Sequence, residues 1–394
     1  MLLYWLWLHL LAGLSVSQKR ALLEYFRDPE ELYRAKESTY RSVVQLSPEG
    51  YEALSNKDLT NARNLAAECS QKRIGIVTIG DSGYPGKLKQ LSDAPLVLYY
   101  RGRLPNWEGC PAIGIVGTRK ATSYGLQMAG RMGAQIAACG GMVVSGAAAG
   151  IDGAAMEQAL LQDGPVVGVL GCGADVVFPA SNRALFAKME EKGCLLSEYP
   201  PGTPGRKWHF PQRNRLISGI SHGVLVVEAP EKSGALITAR YALEQGREVF
   251  VVPGNIDSLA SAGSNNLLRE GATAVFEGYD ILREYESRFP GQIRRNTPRE
   301  VTQIPEKVEQ VPTKPAKKPI DNKEVSHYSV LNSGPSGLTE EEKALLSHLT
   351  EKVESVDEVI ARSGMAPAKA LSILTKLSLK GLVKHHPGKC ISRK

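Results

Sequence analysis

Nine short apolar runs rich in valine and isoleucine constrain the fold of this chain more than any other feature. They lie at residues 74–79, 96–100, 112–117, 142–146, 166–171, 194–199, 223–229, 248–254 and 273–278. Stretches with the apolar spacing of helices, such as residues 126–139, separate successive runs. Apolar strands that alternate with helices form a parallel sheet covered on both faces. The sequence therefore predicts an α/β domain over residues 71–285, built on a doubly wound parallel sheet.

Residues 1–70 show no strand-like alternation and contain several short segments with helical spacing, which predicts a small helical domain. Its apolar start resembles an export signal, but it has no basic region and contains His9. At ~14 apolar residues it is too short to cross a bilayer. We interpret it as a buried first helix. The turn at residues 13–15 suggests a module like a SAM or helix-hairpin-helix domain, which either touches nucleic-acid backbones or only mediates other contacts.

Residues 286–337 contain seven prolines and few apolar residues, which is typical of a flexible linker. Beyond it, residues 338–394 form a second compact pattern. Thr339 and Ser355 each have a glutamate three positions on, the spacing of a helix-capping box. Three helices, one of them ending at Gly364, precede two short strands around Pro387 and Gly388. This order predicts a winged-helix domain, which binds either duplex DNA or a protein.

Charge is distributed unevenly along the chain. The formal net charge is +7, of which residues 286–394 carry +6 and residues 1–285 only +1. A basic chain favours anionic partners. Because the main body is almost neutral, any anion site within it must be a local cluster of cations.

The cysteines are scattered and form no C-x-x-C pair. They are Cys69, Cys110, Cys139, Cys172, Cys194 and Cys390. Several lie beside apolar runs, where a buried and reduced thiol is usual. This pattern favours structural cysteines in a reducing, cytoplasmic protein that has no membrane segment.

Three turns between strands and helices are candidates for binding an anion. They follow the third, fourth and seventh apolar runs and span residues 117–125, 145–152 and 228–238. In a parallel sheet such turns lie at the carboxyl edge, where ligands bind. Their small residues let backbone N–H groups approach a ligand, and the helix that follows each turn favours negative charge. Together they predict a cradle for phosphate groups.

The segment K-W-H-F-P-Q-R-N-R at residues 207–215 combines fixed positive charge with aromatic rings. It follows the sixth apolar run, so it lies on the same side of the sheet as the three turns. Cations that track phosphates, together with rings on which bases stack, are what single-stranded nucleic acid requires. Trp208 is the ambiguous member of the segment, and we interpret it as a packing residue.

The sequence lacks the motifs of familiar nucleotide enzymes. It contains neither G-x-x-x-x-G-K-[ST] nor a clean G-x-G-x-x-G after a strand. Asp152, Glu198 and Glu228 have no partner at a catalytic spacing, and His209 and His222 are isolated. No metal-ligand cluster is visible either. We therefore predict a binding protein without catalytic residues, metal or cofactor.

Motifs in the central domain resemble the DNA-processing protein A family (DprA/Smf), in order and spacing across residues 74–280. They are G-T-R at 117–119, S-G-A-A-A-G-I-D-G-A-A at 145–155, F-P-x-R-N-R-L-I-S-G-I-S at 210–221, S-G-A-L-I-T-A-R-Y-A-L-E-Q-G-R at 233–247, V-P-G at 252–254 and G-S-N-N-L-L-R-E-G-A at 263–272. The helical beginning and the winged-helix end fit the family's three-part layout more loosely. The resemblance implies an extended Rossmann-like domain.

The resemblance also implies a non-enzymatic protein of natural transformation. Such proteins bind and protect incoming single-stranded DNA, promote loading of the RecA recombinase, and dimerise through the Rossmann domain. It assigns phosphate contact to Arg119 and Lys207, and base stacking to Phe210. The other residues that it places in the site are Gly117, Thr118, Ser145, Gly146, Arg213, Asn214, Arg215, Ser233 and Gly234. Thr118 and Ala235 stand where serine is common in the family, and only Thr118 keeps the hydroxyl.

Two other functions are compatible with parts of the pattern. A related Rossmann-like family that cleaves nucleoside monophosphates uses a phosphate turn P-G-G-x-G-T, where this chain has P-E-K-S-G-A at residues 230–235. The missing glycines argue against that enzyme. A transcriptional regulator, with a duplex-binding winged helix and a ligand-sensing α/β domain, is the other alternative.

Overall fold

The computed structural model describes residues 1–299, 339–350, 352–365, 369–370, 373–374, 377, 382–386 and 390–393. The chain forms two compact units, Met1–Glu309 and Gln310–Lys394. Most of the predicted linker, residues 300–337, lies outside the described residues. The boundaries drawn at residues 70, 285 and 337 remain predictions.

Six helices precede the sheet. They are α1 (Leu2–Leu10), α2 (Val16–Tyr25), α3 (Pro29–Arg34), α4 (Glu37–Val43), α5 (Pro48–Ser55) and α6 (Thr60–Gln71). Ser15 forms a capping box with Gln18 at the start of α2, and Asp28 caps α3 ahead of a proline. Helix α1 buries four consecutive large residues, 5–8, which confirms its interpretation as a buried helix. No helix among the described residues is long and apolar enough to cross a membrane.

All nine apolar runs form strands of one sheet. The strands are β1 (Gly75–Thr78), β2 (Val97–Gly102), β3 (Ala112–Val116), β4 (Met142–Ser145), β5 (Val166–Leu170), β6 (Cys194–Ser197), β7 (Gly223–Val226), β8 (Glu248–Val251) and β9 (Thr273–Ala274). Their order is β1-β2-β6-β5-β4-β3-β7-β8-β9. Strands β3 to β9 are parallel, as predicted.

The sheet departs from the predicted parallel arrangement at one end. Strand β2 pairs antiparallel with both β1 and β6. Because β2 runs the opposite way, it ends at the edge of the sheet where β3 begins. Residues 103–111 therefore join the two strands without the long crossover that parallel strands need.

The strand order reverses between β3 and β7. From β3 the chain winds through β4, β5 and β6 in one direction, and then through β7, β8 and β9 in the other. Such a switch point opens a crevice at the carboxyl edge of the sheet. The three predicted turns follow β4, β3 and β7, which are adjacent strands, so the fold brings them together at this crevice.

Helices cover both faces of the sheet. One core, which includes Met132 and Phe186, lies under α8 (Ser123–Ala138), α9 (Ile151–Leu160), α10 (Arg183–Lys192) and α14 (Gly278–Leu282). The opposite core lies under α7 (Gly86–Lys89), α11 (His209–Ile220), α12 (Gly234–Glu244) and α13 (Ala262–Arg269). It continues into the N-terminal helices through residues such as Leu6. Two 3-10 turns, Ala180–Asn182 and Arg283–Tyr285, complete the unit.

The second unit has the elements of a winged helix. It contains α15 (Glu340–Ser347), α16 (Val356–Ser363) and a sheet of β10 (Glu354–Ser355), β12 (Cys390–Arg393) and β11 (Val383–His386), in that order. The capping box at Thr339 forms, and Gly364 ends α16 in the left-handed conformation. Ser355 makes no capping hydrogen bond, so that prediction is wrong: Ser355 pairs in β10 instead. Residues 366–368 and 387–389, part of the predicted third helix and turn, lie outside the described residues.

Candidate nucleic-acid interface

Cations and aromatic rings converge at the crevice between β3 and β7. We define the cleft as the turns at residues 117–122, 145–150 and 171–179 together with residues 199–210. The guanidinium carbon of Arg119 lies 5.0 Å from the centroid of the half-buried Phe210 ring. The ring of Phe178 stacks on Phe210, with centroids 5.1 Å apart and an interplanar angle of 28°. Arg119 and Lys207 are both exposed. Sequence-distant groups thus form one surface of charge and π faces.

Trp208 lies on the surface, contrary to its interpretation as a packing residue. Its side chain is 58% exposed, and the guanidinium carbon of Arg206 lies 5.3 Å from the centroid of its ring. The neighbouring His209 is buried instead, stacked on Tyr199 at a centroid distance of 4.1 Å. Helix α11 begins at His209, so Trp208 precedes the first turn that packs on the sheet.

The turn after β3 is held from beneath by Glu228. The backbone carbonyl of Glu228 accepts a hydrogen bond from the Thr118 N–H at 2.7 Å. Its buried carboxylate accepts from the N–H and the hydroxyl of Thr122, at 2.8 and 2.7 Å. A Cβ at Gly117 would lie 2.4 Å from Ile151, so only glycine fits there. The carboxylate of Glu228 therefore serves as a structural hydrogen-bond acceptor. The turn that carries Arg119 is fixed by these bonds.

The turn after β4 is equally constrained. The Ser145 hydroxyl is buried and donates to the Ile115 carbonyl at 2.6 Å. The Gly146 N–H donates to the Asp152 carboxylate at 3.1 Å. Gly150 has a φ of 80°, and a Cβ there would lie 2.4 Å from the Thr118 carbonyl oxygen. The close approach of two backbone segments fixes the entrance to α9.

Arg213 is buried beneath that turn rather than exposed in the cleft. Its guanidinium donates to the Gly146 carbonyl at 2.7 Å and to the Val169 carbonyl. Burial lowers the pKa of Arg213 to about 10, while Asp152 opposes that shift. Burial likewise raises the pKa of Asp152. Since its donors point to protein carbonyls, Arg213 ties α11 to the turn, and the structure does not place it where it would meet a ligand.

Asn214 and Arg215 are also occupied by protein partners. The Asn214 amide donates to the Gly234 carbonyl at 3.2 Å, which links α11 to α12. Arg215 forms an ion pair with Glu198 at 2.5 Å and a second with Asp93 at 3.3 Å. Glu198 is thus the charge partner of Arg215. Burial raises the pKa of Glu198, and the charge of Arg215 opposes this shift.

Ser233 and Gly234 lie at the start of α12. The Ser233 hydroxyl accepts from the Ala235 N–H at 3.3 Å and caps the helix. Gly234 is exposed, and a Cβ there would meet no atom within 4 Å. The first turn of α12 is therefore open to a ligand, although its serine hydroxyl is already engaged.

Asp175, which the sequence analysis did not identify, holds two walls of the cleft together. Asp175 accepts from the Gly202 N–H at 2.8 Å and from the Lys72 ammonium at 2.8 Å. The Gly173 N–H donates to the Thr203 carbonyl at 2.9 Å. These bonds connect the end of α6 to the loop that carries Phe178 and to the segment that leads to Lys207. Asp175 therefore fixes the spacing of the two walls.

Phe178 was also missed, although the sequence holds a signal for it. It lies in the turn after β5, at the same edge as the three predicted turns, and is 40% exposed. An aromatic residue followed by proline, in a turn at the ligand edge, is the pattern that identifies it. No group of acidic, histidine and cysteine residues within the described parts of the chain could hold a metal ion.

Comparison with known families gives two matches. The family model described as DNA recombination-mediator protein A matches residues 75–286. The model described as the DprA winged helix domain matches residues 332–389. Between them they cover the sheet domain and most of the second unit.

Individual relatives match over long stretches. Protein Smf of Synechocystis is 32% identical over 98% of this chain and 97% of its own length. The X-ray structure of DprA from Streptococcus pneumoniae has a TM-score of 0.63 and 32% identity, over 72% of this chain and 98% of that one. DprA from Helicobacter pylori, whose structure concerns a single-stranded DNA binding mode, has a TM-score of 0.50 and 28% identity over 55% and 98%.

Proposed function

We propose, from the premise that this chain belongs to the DprA/Smf family of DNA recombination mediators, that its cleft binds single-stranded DNA. The observation that carries the proposal is the stack of Arg119, Phe210 and Phe178 beside the exposed Lys207. Single strands need cations for their phosphates and free ring faces for their unpaired bases. Duplex bases are stacked on each other and do not offer those faces.

The described contacts divide the predicted site residues into two groups. In the first, Arg119 and Lys207 meet phosphates and Phe210 meets a base, while Gly117, Thr118, Ser233 and Gly234 border the path of the strand. Gly146 is buried, and its N–H and carbonyl are bonded to Asp152 and Arg213, so it belongs with the residues that shape the cleft. In the second group the side chains are engaged by the protein and hold the cleft in shape. These are Ser145, Arg213, Asn214 and Arg215. We add Phe178 and Trp208 as further stacking faces.

Phe178 and Phe210 already stack, and the Arg119 guanidinium lies over the Phe210 ring. A base that enters replaces the guanidinium on Phe210 and frees Arg119 for a phosphate. Each stacked base contributes about 1–3 kcal/mol, and each phosphate contact adds a salt-dependent term. Binding therefore weakens as salt rises, and this site requires no bond to be broken.

We further propose that the protein acts in natural transformation and recombination in the cytoplasm. It would protect incoming single strands and promote loading of the RecA recombinase on them. It would do so as a homodimer through the Rossmann domain. Three observations support this proposal: the family match, the single-stranded DNA binding mode in the name of the Helicobacter pylori structure, and a cleft equipped for binding.

A titration with a fluorescent oligothymidine tests the proposal. We expect Arg119→Glu with Lys207→Glu to weaken single-strand binding at least about a hundredfold, because two attractive charges become repulsive. The fluorescence of Trp208 gives a second readout, since Trp5, Trp7 and Trp107 are buried. A stacked base should quench the exposed indole.

The matched control is Arg131→Glu with Lys188→Glu. Both residues are exposed, on α8 and α10, and the pair changes the net charge by the same amount. We expect the control to bind nearly as tightly as the wild type and to share its melting temperature with the cleft variant. If the cleft variant and the control bind single-stranded DNA with equal affinity, the assignment of the site is wrong.

A further inference from the structure

A second cluster of cations and polar groups lies at the opposite edge of the sheet. His222 directly precedes β7 and Arg247 directly precedes β8. Because β7 and β8 are parallel neighbours, their amino ends meet at one edge. The cleft lies at the carboxyl ends. We define the amino-edge cluster as Lys87, His222, Arg247, Tyr285 and Arg288.

His222 points a hydrogen-bond donor into this cluster. The residue is 4% exposed, and its Nδ1 accepts a hydrogen bond from the Ala112 N–H at 3.1 Å. A neutral imidazole with Nδ1 as acceptor carries its proton on Nε2. Burial first, and then the nearby Lys87, Arg288 and Arg247, lower the pKa of His222 to about 3, so the ring is neutral at pH 7. Its buried Nε2 finds no partner in the described part of the chain.

Two other polar groups of the cluster also lack a partner. The Nε of Arg247 and the hydroxyl of Tyr285 are buried and make no hydrogen bond to any described residue. The rings of His222 and Tyr285 are 5.6 Å apart. Arg247 does contact the rim, donating from its terminal nitrogen to the carbonyls of Lys87 at 3.4 Å and Gly219 at 3.5 Å. The floor of the cluster is therefore made of N–H and O–H groups without an acceptor.

The rim of the cluster is positively charged. Burial first, and then Arg247 and Arg288, lower the pKa of Lys87 to about 8, while Glu108 opposes this shift. Arg288 is exposed and lies over Phe289, whose ring is 5.1 Å from that of His222. Within the described ranges, none of these three cations forms an ion pair. Burial first, and then the charges of Glu248 and Glu284, raise the pKa of Tyr285. Neither carboxylate forms a hydrogen bond with its hydroxyl.

We propose that the amino-edge cluster binds a small tetrahedral oxyanion of the phosphate class. The imidazole and guanidinium N–H groups can only donate, the phenol can donate, and the rim adds positive charge. A negatively charged hydrogen-bond acceptor would satisfy these buried donors and balance the positive charge of the rim. A small anion suits the site better than a polymer, because the three groups without a partner are buried. This binding site is separate from the cleft and does not depend on the proposed function.

Thermal unfolding and calorimetry of the full chain with inorganic phosphate test this proposal. The cleft also attracts phosphate, so the reference protein carries Arg119→Glu and Lys207→Glu. We expect phosphate to raise its melting temperature relative to chloride at equal ionic strength, since a ligand of the folded state stabilises it. Adding Lys87→Gln and Arg288→Gln, both outside the buried floor, should weaken phosphate binding about tenfold or more.

Two further measurements show where phosphate binds and whether it is free phosphate or the phosphate of a nucleotide. In a chain with an intact cleft, Lys87→Gln with Arg288→Gln should leave single-strand binding unchanged. Adenosine monophosphate in place of inorganic phosphate shows whether the site takes a free anion or the phosphate of a nucleotide, and either supports the proposal. The proposal is overturned if phosphate does not stabilise the reference protein, or if it stabilises the Lys87/Arg288 variant equally.

Discussion

The two halves of the basic segment at residues 206–215 both contain cationic side chains, but the first half is exposed to solvent and the cations of the second half are engaged inside the protein. In the first half Arg206, Lys207 and Trp208 face solvent. In the second half Arg213 is 3% exposed, and Arg215 is held by two carboxylates. Arginine thus serves as a candidate ligand contact at one end of the segment and as an internal brace at the other. Residue type alone does not distinguish these roles.

The start of α11 separates the halves. The helix begins at His209, and its buried positions include 209, 213, 216 and 220, which recur at helical spacing on the face toward the sheet. Arg213 falls on that face, so its charge is taken up by the carbonyls of Gly146 and Val169 and by Asp152. Residues before 209 lie outside the helix and keep their contact with water.

The largest expected effect comes from breaking the buried half. Arg213→Ala should lower the free energy of unfolding by about 3–5 kcal/mol, because it leaves two buried carbonyls without their donor and the buried Asp152 without a nearby positive charge. Urea unfolding measures this loss. Arg213→Lys keeps a charge but not the fork of donors, so it should fall between alanine and the wild type. A loss below about 1 kcal/mol for alanine would show that Arg213 is not a brace.

A smaller effect is expected at Phe210, which lies in the first turn of α11 and is half-buried. Phe210→Leu keeps apolar volume against Phe178 but removes the π face on which a base would stack. Single-strand binding should weaken by about 1–3 kcal/mol, whereas the melting temperature should change little. Fluorescence anisotropy and thermal unfolding separate the two quantities. Unchanged affinity together with a lower melting temperature would move Phe210 into the structural group.

The smallest effect is expected at the contact that spaces the cleft walls. A double-mutant cycle of Lys72→Met and Asp175→Asn should give a small favourable coupling, because Lys72 is partly exposed and solvent screens the pair. Although burial raises the pKa of Asp175, its bonds to Lys72 and to the Gly202 N–H lower it overall below the ordinary value.

This depressed pKa fixes the sign of the pH dependence. The contribution of Asp175 is fully present above its unfolded pKa of about 3.9 and is lost as pH falls through the lower folded pKa. Coupling energies from urea unfolding at pH 7 and near pH 3 check this. A coupling that grew on acidification would contradict the assignment.

The sequence predicted most of the sheet domain because its signals are local. Apolar runs bounded by turns identified all nine strands, and the start and end signals at Thr339 and Gly364 mark helix ends in the structure. The direction of β2 was missed, since apolar periodicity is the same for either direction of a strand. Ser355 had the spacing of a capping box, but pairing in β10 took precedence.

The candidate site was predicted in its location but not in its detail. Gly117, Arg119, Lys207 and Phe210 converge at the carboxyl edge, as the order of strands and turns implied. Phe178 and Asp175 were missed because each acts through a partner distant in sequence, Phe210 and Lys72 respectively. Trp208 was misjudged because its exposure depends on where α11 begins.

The sequence by itself determined which segments become strands and helices, because burial periodicity, caps and glycine turns act over a few residues. It also placed three small-residue turns and a basic aromatic segment at one edge of the sheet. Only the tertiary structure decided which charges face solvent and which are neutralised inside. That depends on the partners that packing brings within hydrogen-bond distance, such as the Gly146 carbonyl for Arg213 at 2.7 Å.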